Sequence, residues 1–375
     1  MINIFILFYI LKTMTTTNLL TEDIELAELS SLFCKNQKSF YLYIANYAAS
    51  NSNNNDNETA AKPLRLHKVE NMVDCVFSPN MYWSFYNTIL DTDICSTMKD
   101  HHYNNNDKLM EQILSLTSSY KCPVRALVKP TAINTENLLK RYGFIELPNR
   151  NDSFQYIDLL DENNVSKSMN VNPCIKIYEL DDSTQDDCRM RKSEWGYVLC
   201  SSFGFRNPEL YGTFYADVWQ RVEVGPTKPI RMFIAIKNNR VIGGCHVSLA
   251  CGVACLFNVT TLKDERGQGV GAGLSIAAIQ SAKELNYRYM VLQASNMGSI
   301  VYKKLGFKSI PPYKMFIKIS TIAWYFKIIE TLLIIFGVER IQRFITAIQK
   351  LLSNRFTILL IIIMIIGIFI AILFR

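Results

Sequence analysis

Between Glu265 and Ser275 the chain reads ERGQGVGAGLS, with glycines at 267, 269, 271 and 273, in a sequence whose first glycine is Gly143. Glycine loses the most backbone entropy on folding, so such a cluster marks a backbone that must turn tightly or come close to something. A strand pattern, Val253 to Leu262, leads into the cluster, and helical spacing of Leu274, Ala277, Ala278 and Leu285 leads out of it. Strand, glycine turn and helix together aim unpaired N–H groups at one point, add the positive end of a helix dipole and clear the approach of side chains. That chemistry suits a phosphate. A dinucleotide fingerprint GxGxxG would need glycine where Ala272 stands, and a Walker loop would need Gly-Lys-Ser/Thr, which the chain lacks. What remains is the spacing Arg266-x-x-Gly269-x-Gly271.

The elements that must hold this loop lie around it. CIKIYEL, Cys174 to Leu180, carries a strand, and Asp181 to about Val222 looks helical and rich in aromatics, including Trp195, Tyr197, Phe203, Phe205 and Trp219. Arg231 to Ala250 forms a hairpin turning at KNNR, because asparagine tolerates the left-handed backbone of tight turns. After the glycine loop and its helix, YRYMVLQA from Tyr287 is a strand, and Met297 to Phe307 is a short helix ended by Gly306. This order predicts an α/β fold with a mixed sheet and helices on both faces.

TLKDERGQGVGAGL followed by VLQASNMGSIVYKKLGF resembles the two signature segments of the GNAT superfamily of acyl-CoA-dependent N-acyltransferases. The resemblance implies acetyl-CoA or another short acyl-CoA as co-substrate. It implies that Arg266, Gly267, Gln268, Gly269, Val270, Gly271 and Ala272 hold the pyrophosphate, the N–H groups from 267 to 272 doing so directly. It implies that the backbone of Val259, Thr260 and Thr261 pairs with the pantetheine and the acyl carbonyl, and that Asn296 hydrogen-bonds the pantetheine arm. Tyr302 would stand near the thioester sulfur, where the leaving thiolate needs a proton or a hydrogen bond that a phenol supplies. Backbone N–H from Val259 to Thr261 would stabilise the oxyanion. No base for the amine is fixed: His246 and Asn258 are candidates, each more ordinarily structural, and a water serves in many members of the family. Glu265 is expected to be solvated beside the phosphates.

The first half carries a weaker echo. NLLKRYGF, within Val124 to Phe144, parallels IVYKKLGF, but Leu139 stands where the other copy has Tyr302, and no glycine precedes Gly143 to make a phosphate loop. The expected organisation is a leader at 1–25, a degenerate GNAT-like domain at 26–160 without CoA, a polar linker at 161–173 and a catalytic GNAT domain at 174–320. The fold class is thus a GNAT-like mixed sheet flanked by helices, in two tandem copies, plus a C-terminal transmembrane helix.

The net charge is +7, yet seven cations against two carboxylates between residues 311 and 355 leave +5 in that segment alone. Local basicity beside an apolar C-terminus suits an anionic membrane surface better than nucleic acid, and no nucleic-acid partner is expected. Phe356 to Phe374 is 19 uncharged residues, enough to cross a hydrocarbon core of ~30 Å. Lys350 and Arg355 before it put the body in the cytosol, which predicts a single-pass, tail-anchored protein. The region 321–355 reads as amphipathic basic helices lying on the membrane or packed on the body, with a second span as the alternative. MINIFILFYIL at the start is a signal h-region without its positive flank, or a plain leader before Met14. Ten scattered cysteines with no CxxC pair exclude a zinc ribbon and fit a reducing compartment, so no metal is expected. Two functions remain at this level: a membrane-anchored N-acetyltransferase acting on an amine, and a non-catalytic CoA-binding scaffold.

Overall fold

Two mixed sheets and seven α-helices account for the regular structure among the described residues of the computed structural model. Those residues are 24–50, 63–79, 81, 85–96, 104–148, 153–161, 170–184, 187–205 and 207–319. The chain divides into two units, Met1–Ile319 and Ser320–Arg375, and every described residue belongs to the first. Residues 1–23, the juxtamembrane segment 321–355 and the expected span Phe356 to Phe374 lie outside the described residues. No described helix is long and apolar enough to cross a membrane.

The first half runs α1 (Leu26–Ser50), β1 (Arg65–Val69), β2 (Val73–Phe77), β3 (Thr88–Ile89), α2 (Asn104–Ser119), β4 (Val124–Val128), α3 (Ile133–Arg141), β5 (Ile145–Leu147) and β6 (Phe154–Asp158). The second runs β7 (Lys176–Leu180), α4 (Cys188–Phe203), α5 (Pro208–Arg221), β8 (Ile230–Lys237), β9 (Arg240–Ala250), β10 (Val253–Thr261), α6 (Val270–Glu284), β11 (Tyr289–Gln293), α7 (Asn296–Lys304), β12 (Lys308–Ser309) and β13 (Lys314–Lys318). The long helical stretch expected from Asp181 to Val222 is two helices. Gly204 closes α4 with a left-handed backbone (φ +72), and Asn207 opens α5 by accepting from the Leu210 amide at 3.0 Å, with Pro208 in the first turn. The KNNR turn forms as expected, Asn238 and Asn239 both left-handed between paired Lys237 and Arg240.

One sheet has the order β1-β2-β3-β4-β13-β5 and the other β7-β8-β9-β10-β11-β6-β12. Each contains one parallel pair, β3 with β4 and β10 with β11, and in each a helix joins the pair. Placed side by side, β1 to β4 match β8 to β11, and the two sheets are one plan repeated, the second with β7 added at its edge. The position beyond the parallel pair is filled crosswise: β6 of the first half pairs with β11 and β12, while β13 of the second half pairs with β4 and β5. The division at 160 and 174 therefore follows the chain but not the sheets. Each exchanged strand buries aromatic surface in its host. Phe154 is buried in one cluster with Val253, Cys255, Tyr289 and Val291 of β10 and β11, and Phe316 is fully buried in the first half's core.

Helix α1 binds the halves together. Its Asn36 Nδ2 donates to the carbonyls of Ser248, Ala250 and Val253 around the β9–β10 turn, at 3.0, 2.9 and 2.9 Å. Its Lys38 reaches Asp74 and Asp91 in the first half at 2.7 and 2.6 Å.

Candidate active site

The site begins where β10 stops being paired. β10 meets β11 only at Ala254, Cys255 and Leu256, and then runs on from Phe257 to Thr261 without it. Asn258, with φ +52, makes the bulge between Phe257 and Thr260, after which Thr260 and Thr261 pair with Gly244 and Gly243 of β9. The other backbone edge of Val259, Thr260 and Thr261 faces the gap between diverging strands. An extended chain laid in that gap would find strand-like partners.

The glycines of the loop serve different ends. Gly267 and Gly269 have φ +81 and +80, which other residues adopt only with strain. A side chain on Gly269 would also strike the Asn170 carbonyl oxygen at 2.4 Å, and one on Gly273 would strike Ile177 at 2.7 Å. Gly271 has neither reason: its nearest neighbours would be Thr261 Oγ1 at 3.8 Å and Val259 Cγ1 at 3.9 Å, ordinary contact distances. Its missing side chain keeps open the space between the helix start and β10.

Helix α6 starts without a side-chain cap and without an acidic residue in its first turn. Its first intrahelical bond is from the Gly273 amide to the Gly269 carbonyl at 2.9 Å, so the amides of Val270, Gly271 and Ala272 have no partner within the helix. Uncapped amides, a dipole and an open approach at Gly271 fit a pyrophosphate. The loop is braced from behind. The Asn172 amide donates to the Gln268 carbonyl at 3.1 Å, its side chain to Gln268 Oε1 at 2.8 Å, and Lys237 Nζ to Glu265 Oε2 at 2.7 Å. Glu265 is thus an ion-paired brace rather than a solvated carboxylate. The hydrogen bond from Lys237, with one from Gln268, holds its carboxyl below the usual carboxylate range. Neither Lys237 nor Asn172 carries a local sequence signal for this role, since one ends β8 and the other lies in the polar linker.

Arg266 crosses the gap. Its Nη2 donates to the Ser202 carbonyl at the end of α4 at 3.0 Å, its Nε to the Thr261 carbonyl at 3.4 Å, and its Nη1 lies 4.0 Å from Met297 Sδ. Beyond it, Ser295 Oγ caps α7 by accepting from the Gly298 amide at 3.1 Å, leaving Asn296 exposed as the first helical residue. Tyr302 is buried, its ring over Gly298 and 5.6 Å from Phe307. Burial, with the Cys245 thiol nearby, pushes its hydroxyl well above the ordinary phenol value. It keeps its proton at neutral pH, so it can donate to a developing thiolate but cannot act as a base.

Residues 228–309 match the acetyltransferase (GNAT) domain family. That stretch of the chain is thus similar to a GNAT acetyltransferase domain. The match covers β8 to β12 and so contains the loop, the diverging strands and Tyr302. No curated protein matches the chain in sequence. Among solved structures, a tandem GNAT protein from the clavulanic acid biosynthesis pathway is 13% identical, covering 66% of this chain and 78% of its own with a TM-score of 0.45. A GCN5-related N-acetyltransferase from Kribbella flavida is 11% identical over 66% of this chain and 85% of its own, at 0.42. A predicted acetyltransferase from Clostridium acetobutylicum, solved with acetyl-CoA, is 20% identical over 36% and 90%, at 0.27.

Around the GNAT loop the structure sorts the remaining candidates. His246 lies in a box of Phe40, Trp219, Phe257 and Trp195, at ring distances of 4.8, 4.7, 5.5 and 5.9 Å. Burial lowers its pKa to about 3, and neither ring nitrogen bonds another described residue, so it is a poor acceptor for an ammonium proton. Asn258 serves the bulge. No group of metal-ligating side chains occurs among the described residues.

Proposed function

We propose that the GNAT domain transfers an acetyl or other short acyl group from acyl-CoA to an amine. The observation that carries this reading is the uncapped start of α6, with its open Gly271, beside the edge of β10 that β11 leaves unpaired; the buried, protonated Tyr302 phenol agrees with it. When bound, the thioester supplies an activated acyl carbon. The amides from Gly267 to Ala272 hold the phosphates, with Arg266 within reach. Val259, Thr260 and Thr261 align the pantetheine and offer N–H to the acyl oxygen, Asn296 steadies the arm, and Tyr302 gives a hydrogen bond to the departing sulfur.

The protein is anchored in a membrane through Phe356 to Phe374, with the GNAT domain in the cytosol. The support is the 19-residue uncharged run and the cations that precede it. Protease protection on isolated membranes tests this: a body shielded until detergent is added overturns the orientation. The activity is tested with the full chain in detergent, acetyl-CoA and a panel of amines. Amine-dependent release of free CoA thiol is expected. Acetyl-CoA binding by calorimetry without any thiol release would leave a CoA-binding scaffold and sink the enzyme.

A further inference from the structure

We propose that the acceptor is an amine carried on an apolar body, aliphatic or aryl, and that Phe203 and Phe205, with Phe85 contributed by the first half, read that body. The proposal rests on the acyl-transfer reading and concerns the other side of the same gap.

Arg266 fixes where that side is. Because its guanidinium holds the Ser202 carbonyl, the corner between α4 and α5 abuts the open end of β10. Phe203 follows at once and is 46% exposed. Phe85 of the first half docks into this corner: its amide donates to Tyr215 Oη at 2.7 Å, and its ring lies 5.2 Å from Phe203 and 5.5 Å from Phe205. Across the gap, Met297 is 61% exposed, with its sulfur against Arg266. The mouth is therefore built of aromatic and thioether surface from both halves.

The charges around it have one sign. Arg266 spans the gap, and Arg125 lies over the Phe85 ring at 5.9 Å while its Nη2 donates to the Phe85 carbonyl. The carboxylates of the covering helices are engaged elsewhere, Asp187 and Glu194 with Arg191 and Asp217 with Arg221. Glu209 is exposed and stands two residues from buried Tyr211, on the opposite side of α5. Among the described residues, a polycationic acceptor would meet two guanidiniums and no free carboxylate. An apolar amine would bury its body on the phenylalanines, and desolvation beside the cations would favour its neutral form, which is the nucleophile. This accounts for a site without an evident base.

The test uses the full chain in detergent. Acetyl-CoA affinity is measured by calorimetry, then kcat/KM for octylamine and phenethylamine against glucosamine, spermidine and an aminoglycoside. The apolar amines should be preferred by roughly tenfold or more. Phe203→Ala, at a half-exposed position that folding tolerates, should raise KM for the apolar amines roughly tenfold with acetyl-CoA affinity unchanged. Phe85→Leu, which keeps bulk but not the ring, should shrink the preference at an unchanged thermal midpoint. A preference for the polar amines, no reaction with the apolar ones despite bound acetyl-CoA, or a preference indifferent to both substitutions overturns the proposal. Absence of acetyl-CoA binding in the unaltered protein overturns the acyl-transfer reading with it.

Discussion

The two halves answer the same structural question differently at two corresponding places. In both, a strand pairs in parallel with the next strand and a helix joins them, yet the β3-to-α2 connection contains no glycine while residues 267–273 hold four, two in the β10-to-α6 connection and two in the first turn of α6. In both, a nine-residue helix ends two residues before a left-handed glycine, Gly143 with φ +73 and Gly306 with φ +98. Four residues back from each glycine stand Leu139, fully buried in the first core, and Tyr302, a phenol buried in the second. One fold plan thus keeps its packing in both copies and the glycine loop and phenol in one. The first copy has a different role: it lends β6 to the second sheet and Phe85 to the acceptor corner.

The largest effect should come from cutting that mutual dependence. A chain ended after Ile310 loses β13, which supplies five residue pairs to β4 and the buried Phe316 to the first core. The first sheet is then split between β4 and β5, and cooperative unfolding of that half should be lost, measured by circular dichroism and limited proteolysis. An intact, protease-resistant first half in the shortened chain would show that the exchange is dispensable.

Next in size is Gly271→Leu. The contact distances of 3.8 and 3.9 Å leave room for a β-carbon, so folding should survive, but the larger side chain fills the approach to the α6 amides. Affinity for CoA should fall by roughly a hundredfold or more at a nearly unchanged thermal midpoint, read by calorimetry. Gly269→Leu is a poorer probe, because φ +80 and the 2.4 Å clash with Asn170 would disturb the loop itself. Equal affinity in Gly271→Leu would move the phosphate site elsewhere.

Tyr302→Phe should lower turnover by ~10²-fold and leave CoA affinity within about threefold, since a leaving-group hydrogen bond is felt mainly in the transition state. The mirror substitution, Leu139→Tyr, should leave turnover alone and destabilise the first half by about 1–3 kcal/mol through overpacking. A Tyr302→Phe enzyme as fast as the original, where chemistry limits the rate, would make the two positions equivalent core residues.

What the sequence reveals is what local backbone chemistry dictates. The glycines and the KNNR asparagines mark left-handed positions wherever the chain goes next, and the capped short helix α7 is written in Ser295 and Gly306. The strand exchange is not legible, because FQYID and KMFIK each offer an apolar face that either sheet could bury, and only the complete pair of sheets decides between them. Arg266 and Glu265 show the same limit within the site. The resemblance implied the pyrophosphate for Arg266 and the type of Glu265 suggested solvent; the partners the fold adds, Ser202 and Lys237, are 64 and 28 residues away in the chain.

The smallest effect separates the histidines of the two halves. His67 on β1 is partly buried and shares a hydrogen bond of 2.8 Å with Tyr120 Oη, whereas His246 on β9 has only aromatic rings around it. No charged group acts on His246; burial alone takes it from 6.5 to about 3. Between those values the unfolded chain binds the proton and the folded one does not, so the contribution of His246 to stability is constant above pH 6.5 and falls as pH drops below it. The slope is about 1.4 kcal/mol per pH unit, hence roughly 2 kcal/mol lost by pH 5. His246→Phe keeps a ring in the box and removes the titration, so denaturant unfolding at pH 5 and 7.5 should show that loss in the parent protein and less of it in the variant. The same decline in both would mean that His246 is protonated within the fold, and a base beside the GNAT site would have to be considered again.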